Sequence, residues 1–302
     1  MLENHKENNS KENPAAIYSQ NSAILQFDRG RRAFRMFFTI GLVSFLFIGK
    51  AEGQTGKIIY PHAAFWHKTE INQFFDERWG VGFDLVYRRK NEMNKGSMFD
   101  HHLRTSLRPW INYQITKNSR FSLSPIGYMA TTEYVGKPSD YDRLPYHEWR
   151  TTFQLFHHHK YPNPRWMHTW RYRYELRWQE NPGQGDYRFF TRFRLRYRLR
   201  FVINKPDFYQ NNMFYLMVSN EIGLNIGKNV IYNTFNQNRL YLGAGFRFAT
   251  SARVELRYID RIRTRGSTGI EFDHDKGFMI GIYIDQLSSL FRKHEQNVRY
   301  TD

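Results

Sequence analysis

The stretch TRFRLRYRLRFVIN, residues 191–204, decides the fold. Arg192, Arg194, Arg196, Arg198 and Arg200 alternate with Phe193, Leu195, Tyr197, Leu199 and Phe201 without exception. Successive side chains of a pleated strand leave opposite faces, so a period of two marks a β-strand; a helix would scatter these arginines around its circumference. One face therefore carries guanidinium groups and the other carries aromatic rings and leucines. The function of the chain turns on what each face touches.

The same rhythm recurs along the sequence. WGVGFDLVYRR (79–89) sets Trp79, Val81, Phe83, Leu85 and Tyr87 against Gly80, Gly82, Asp84 and Arg88. HLRTSLRPWINYQI (102–115) sets Leu103, Leu107, Ile111, Tyr113 and Ile115 against His102, Arg104, Arg108, Asn112 and Gln114. In YHEWRTTFQLFH (146–157), Glu148, Arg150, Thr152 and Gln154 oppose Trp149, Phe153 and Leu155. In HTWRYRYELRW (168–178), Arg171, Arg173, Glu175 and Arg177 oppose Trp170, Tyr172, Tyr174, Leu176 and Trp178. Four later segments, 213–226, 238–248, 253–263 and 277–287, place Glu221, Arg239, Arg247, Arg253, Glu255, Arg257 and Asp285 on their polar side. The segment 120–135 contains Pro125, which a strand tolerates at a bulge or bend. Segments 90–100, 136–145, 179–186 and 263–277 read as loops from their Gly, Pro, Asn and Asp content. With 60–75 as the first, eleven strands can be counted. Because single-chain bacterial barrels have even strand numbers, twelve are expected, with ten as the alternative, and the missing strand is sought around 57–75 or within 264–276.

The composition agrees with a two-faced sheet rather than an oil-drop core. The 302 residues are 18% aromatic and carry 45 Lys+Arg, for a net charge of +17. There is no cysteine, which excludes disulfides, thiolate metal sites and cysteine nucleophiles. Near the N-terminus, Arg29, Arg31, Arg32 and Arg35 precede an apolar run from Met36 to Ile48, and Ala51 and Gly53 follow. That order is expected of a secretory signal, and the run is short for a membrane-spanning helix. Residues 1–53 are thus read as a polar extension plus signal peptide, 54–291 as one barrel domain and 292–302 as a polar tail. Residues 1–53 hold 7 of the 45 Lys+Arg and 5 of the 28 Asp+Glu, so the exported part keeps +15. Such basicity often marks nucleic-acid binding, but an exported protein has no nucleic acid as its regular partner.

A soluble sandwich, a membrane barrel and an open nucleic-acid-binding sheet all have two-faced strands. Strands of about ten or more residues match a tilted bilayer crossing, whereas sandwich strands are nearer five or six. Aromatics near both ends of the apolar rows (Trp170 and Trp178, Trp79 and Tyr87) fit the two interfaces of a bilayer. The reading is an all-β, closed antiparallel transmembrane barrel in the outer membrane of a Gram-negative bacterium. Its lipid and lipopolysaccharide would be partners of the outer face, and the barrel-assembly machinery a partner in insertion.

Glu148-x-Arg150, then Arg171-x-Arg173-x-Glu175-x-Arg177, then Arg192-x-Arg194-x-Arg196, and the strand Asn236 to Phe246 resemble the signature strands of a family of predicted Gram-negative outer-membrane barrels, domain of unknown function 2490. The resemblance spans residues 60–287 and implies location and fold, with no activity attached. Barrels of this kind often end on an aromatic residue read by the assembly machinery; here Phe291 precedes the tail RKHEQNVRYTD.

The candidate site is a lumen charge network of Glu148, Arg150, Arg171, Arg173, Glu175, Arg177, Arg192, Arg194, Arg196, Arg198, Glu221, Arg239 and Glu255. Its arginine excess would attract phosphate or carboxylate solutes and permit their passive passage. Against this, a barrel of this size is expected to fill its lumen with side chains, here as a mutually compensated polar plug. No cofactor or metal is expected. His157, His158 and His159 alternate faces if they lie on a strand and read more simply as a surface turn, and Asp273-His274-Asp275 reads as a solvated loop cluster. A lipid-acting or lipopolysaccharide-modifying enzyme would need a serine and a base on one face; Ser106 with His102 is the nearest approach, and the expectation is no enzyme. Gly243-x-Gly245 lies inside a strand with no helix after it, which points to relief of crowding rather than a nucleotide loop.

Overall fold

The computed structural model describes residues 56–93, 96–132, 135–160, 163–266 and 268–291. The expected leader, 1–53, and tail, 292–302, lie outside these residues. The chain forms β1 (Ile58–Phe74), β2 (Trp79–Lys90), β3 (His101–Thr116), β4 (Ser119–Thr131), β5 (Tyr146–Lys160), β6 (Trp166–Glu180), β7 (Tyr187–Val202), β8 (Met213–Ile226), β9 (Phe235–Ala249), β10 (Ala252–Thr264) and β11 (Glu271–Ile284). The strands pair in sequence order and close into a barrel. Among the described residues, helix is limited to two single 3-10 turns, Pro138–Asp140 and Leu287–Leu290.

The ring has eleven strands, not twelve or ten, and the sheet is mixed rather than wholly antiparallel. Each hairpin reverses the chain, so the first and last of an odd set run the same way. β1 meets β11 in a parallel ladder from Ile58↔Glu271 to Ile71↔Ile284. A parallel ladder pairs backbone N–H and C=O groups as an antiparallel one does, so closure needs no twelfth strand. The region searched for that strand divides instead: 265–270 is a loop and Glu271 opens β11.

Local sequence explains the irregular points. At Pro125 the β4–β5 register jumps from Ser124 to Gly127, and β3–β4 jumps between Leu107 and Ile111. The bulge returns Gly127, Met129 and Thr131 to the lumen face held by Arg120, Ser122 and Ser124. A side chain at Gly245 would collide with the Tyr215 ring, and one at Gly243 with Leu256 and Arg257, so both glycines make room for lumen groups. Gly277 stands against Ala64 at the seam, where a Cβ would fall on the Ala64 backbone.

The polar rows face the lumen and the apolar rows face outward. Leu256 is 57% exposed whereas Glu255 beside it is 0% exposed. Aromatic pairs ring the outer face near both ends. Tyr128 packs on Trp149 at 4.9 Å and Trp178 on Phe189 at 5.3 Å near one end; Trp79 on Tyr113 at 4.7 Å and Trp166 on Phe201 at 4.6 Å near the other. Leu85, Leu107, Leu195, Leu242 and Ile280 occupy the belt between them. The first end carries the loops 91–100, 132–145, 181–186, 227–234 and 265–270; the second carries 75–78, 117–118, 161–165 and 250–251, all shorter, together with the long connection 203–212.

The seam yields a prediction. Gly277→Ala forces a methyl onto the Ala64 backbone, an overpacking cost of about 1–3 kcal/mol, and should lower the unfolding midpoint of the closed barrel. An unchanged midpoint would show that β1 and β11 do not close at this register.

Candidate functional site

Alternation delivers arginines to the lumen on eight of the eleven strands, all but β1, β8 and β11, and register sets several of them against one another. Arg171 lies opposite Arg196, Arg173 opposite Arg194 and Arg150 opposite Arg177. Like charges directly opposite are unfavourable, and a buried cation needs a carboxylate close by. Four buried glutamates supply it. Glu221 accepts from Arg194 Nε at 2.9 Å and Arg239 Nη1 at 3.2 Å, and is paired with Arg171. Glu175 accepts from Arg192 Nε at 2.6 Å and Arg194 Nη1 at 3.3 Å, with Arg173 at 3.9 Å and Arg108 at 4.0 Å. Glu148 accepts two bonds from Arg177, at 2.6 and 2.8 Å, and pairs with Arg150. Glu255 pairs with Arg257 and accepts from Tyr215 Oη at 2.6 Å, with Arg253 at 3.7 Å and Arg198 at 3.9 Å. Each carboxylate thus joins arginines from two or more strands, which ties strands together across the lumen.

The network does not fill the barrel. A cavity of about 740 Å³ is lined by wall residues including Arg88, Arg104, Arg192, Arg196 and Arg257 and by Asp142, Leu144, Pro182 and Ile231 of the longer loops. It is therefore a vestibule at the long-loop end. Toward the other end the lumen narrows to a space of about 40 Å³ among Asn72, Asn112, Ser122 and Thr169. At the short-turn end the 203–212 loop puts Phe208, 2% exposed, into a cluster with Met167, Val202, Met213, Tyr215 and Met217. The Arg200 guanidinium lies 5.3 Å from the Phe208 ring.

At the vestibule rim, the 132–145 loop is pinned by Asp140. Its Oδ2 accepts from the amides of Gly136 at 2.8 Å and Lys137 at 3.0 Å and from Arg265 Nη1 at 2.7 Å. Arg143 pairs with its Oδ1 at 3.1 Å. Arg265 also reaches Asp273 at 2.7 Å, joining the loop to β11. Burial alone would raise the Asp140 carboxyl, but the Arg265 bond, the Gly136 amide and the charges of Arg265 and Arg143 hold it below the ordinary aspartate value.

All thirteen residues of the expected network stand on the lumen face, twelve of them in contact with a carboxylate, guanidinium or amide partner of the network. The thirteenth, Arg196, lines the vestibule. Several expectations are corrected. The β2–β3 register shifts beside Arg88, so that Arg88 faces Arg104 while Arg89 faces His102. His102 consequently stacks on the outward Tyr87 at 5.1 Å, on the opposite face from Ser106, and the two are not brought together. His157, His158 and His159 continue β5 rather than forming a turn; His158 points inward to Thr169 at 3.1 Å and His157 pairs with Ser119 at 2.9 Å. Asp273 and Asp275 are buried strand residues, not solvated loop ones, and pair with Arg263 and Arg261. Sequence reading missed these two and Trp66, Arg261 and Arg265. The signal for the acids was present, since Glu271, Asp273 and Asp275 continue backward the alternation of Gly277 and Met279.

A closed mixed β-barrel with an arginine-rich vestibule is the class of protein this geometry defines. The model of the family described as "Protein of unknown function (DUF2490)" matches residues 63–270, nearly all of the barrel, and the chain belongs to that family. No curated protein matches the chain, and no solved structure does.

Two outcomes are expected. Glu221→Gln leaves three guanidiniums without their shared anion, a loss of about 3–5 kcal/mol, while exposed Glu77→Gln should change stability by about 0.5 kcal/mol or less; equal denaturant midpoints for both would contradict the hub role. The folded pKa of Asp140 is depressed, so its contribution to loop docking is complete above about pH 3.9, the unfolded aspartate value, and is lost as pH falls through the lower folded value. Asp140→Asn should show at pH 7 the loss of exchange protection at residues 136–143, measured against the intrinsic rate at each pH, that the parent chain reaches only in strong acid. Slow exchange in the variant at pH 7 would remove Asp140 as the pin.

Proposed function

We propose that this protein is a Gram-negative outer-membrane barrel whose lumen is a blind, positively charged vestibule that admits small anionic solutes from the long-loop side. The observation that carries the reading is the inversion of polarity: arginines and glutamates inside, and a continuous apolar belt bounded by aromatics outside. An exposed apolar girdle of that extent has no favourable solvent but lipid. Strands of 12 to 17 residues are long enough to cross a tilted bilayer span. Lipid and lipopolysaccharide then contact the outer face, and the barrel-assembly machinery inserts the chain.

Solute passage is a further step on the same reading. The cations outnumber the anions in the vestibule and favour anions there, but toward the far end the lumen narrows to about 40 Å³ and Phe208 is seated inside it. Transport across the membrane would require that loop to move out of the lumen. An enzyme acting on lipid draws no support from Ser106 and His102, which face opposite solvents.

The test is envelope fractionation and gel migration with and without boiling, followed by planar-bilayer recording. The intact protein should lie in the outer membrane, migrate faster unboiled, and give no steady conductance. Deletion of residues 205–210 should produce ohmic, anion-selective steps. Steady conductance by the intact protein would overturn the blind vestibule, and a soluble, heat-indifferent protein would overturn the barrel in the membrane.

A further inference from the structure

One wall of the vestibule is built on an indole ring. Trp66 on β1 is buried, and three guanidiniums surround its ring: Arg88 at 3.9 Å, Arg261 at 5.2 Å and Arg239 at 5.3 Å. The register makes the arrangement deliberate. Arg88 is directly opposite both Trp66 and Arg104, and Arg261 is directly opposite Arg239. Two like-charge pairs therefore flank one indole.

These pairs differ in how they are compensated. Arg261 is paired with Asp275, and Arg239 with Glu221 at 3.2 Å, a carboxylate it shares with Arg171 and Arg194. Among the described residues, neither Arg88 nor Arg104 meets a carboxylate; Arg104 bonds only the hydroxyls of Thr131 at 3.0 Å and Tyr146 at 3.4 Å. The Nε and Nη1 of Arg88 are buried without a hydrogen-bond partner, as are Nε of Arg239 and Arg261 and the Trp66 indole N–H. Buried donors in native proteins are nearly always satisfied, so unpaired donors on three guanidiniums around one indole, and on the indole itself, point to an acceptor that completes them. The indole face holds the guanidiniums in place by cation–π attraction but accepts no hydrogen bond in return.

We propose that the Trp66 wall, with Arg88, Arg104, Arg239 and Arg261, is a binding site for the phosphoryl group of a small soluble phosphate compound. This deepens the vestibule reading and rests on it. A carboxylate presents two oxygens in one plane and suits one or two guanidinium forks. A phosphoryl group presents three terminal oxygens in a pyramid and carries up to two charges, which suits forks arriving from β2, β3, β9 and β10. The vestibule volume, about 740 Å³, is within the range of small-molecule sites. The site lies inside the ring, separated from acyl chains by the strand wall, so the phosphate is that of a solute and not of a lipid headgroup.

The probe is pyrophosphate, titrated calorimetrically into the full chain refolded in detergent and first verified as the heat-modifiable form. Saturable binding is expected, about tenfold weaker in Arg88→Gln and weaker again when Arg104→Gln is added, since a charge-assisted bond is lost each time. Arg78→Gln, in the turn at the opposite end, should bind like the parent, and each variant must keep heat-modifiable migration. Citrate binding as tightly as pyrophosphate would overturn the phosphoryl assignment. Weaker pyrophosphate binding in vesicles containing lipopolysaccharide than in phosphatidylcholine alone would reassign the site to a lipid phosphate. No saturable heat with a heat-modifiable barrel, or unchanged affinity in Arg88→Gln, would remove the site and leave the barrel reading standing; failure to form the heat-modifiable barrel would remove both.

Discussion

Taking a guanidinium out of water is costly unless a carboxylate goes with it, and this lumen contains far more of the first than of the second. The structure meets that constraint by sharing. Glu221 serves arginines from β6, β7 and β9, and Glu175 serves arginines from β3, β6 and β7. A carboxylate shared across strands is a cross-link as well as a counter-ion, so the charge problem and the stability of the ring have one solution. Beside Trp66, Arg88 and Arg104 lie outside that sharing, and there the lumen opens as a vestibule wall.

Most of the fold was legible because alternation is a direct projection of a two-faced sheet. The eleven segments with a period of two correspond to the eleven strands, with ends displaced by a few residues. The even strand number expected of single-chain bacterial barrels does not hold here, because the ring closes through a parallel pair. Only the direction of β1 relative to β11 resolves this, and direction at closure is a property of the whole ring that no local pattern carries. Bulges are the second limit. Pro125 advertised one, but the shift beside Arg88 has no proline to mark it, and it moved His102 to the outer face.

The charged lumen was legible as a face but not as a set of contacts. Alternation places Arg171, Arg194 and Glu221 inside; which arginine reaches which glutamate depends on strand stagger and on glycines such as Gly245, whose bare backbone admits Tyr215 to Glu255. The Trp66 site was illegible for a related reason. Its residues come from β1, β2, β3, β9 and β10, and only closure of the ring brings the first strands beside the last. The loop at 203–212 likewise carries no local sign that Phe208 lies inside the lumen.

The function of this barrel turns on which solvent each face of the sheet meets, and the absence of cysteine allows that to be measured at adjacent residues. Ser106 lines the vestibule and Leu107 is exposed on the outer face. Single nitroxide labels at Ser106→Cys and Leu107→Cys, in protein reconstituted into lipid vesicles, would report collisions with oxygen from the bilayer and with a water-soluble nickel chelate. The account predicts that oxygen relaxes the label at 107 and the chelate relaxes the label at 106. Chelate access at both positions, or the reverse pattern, would contradict it.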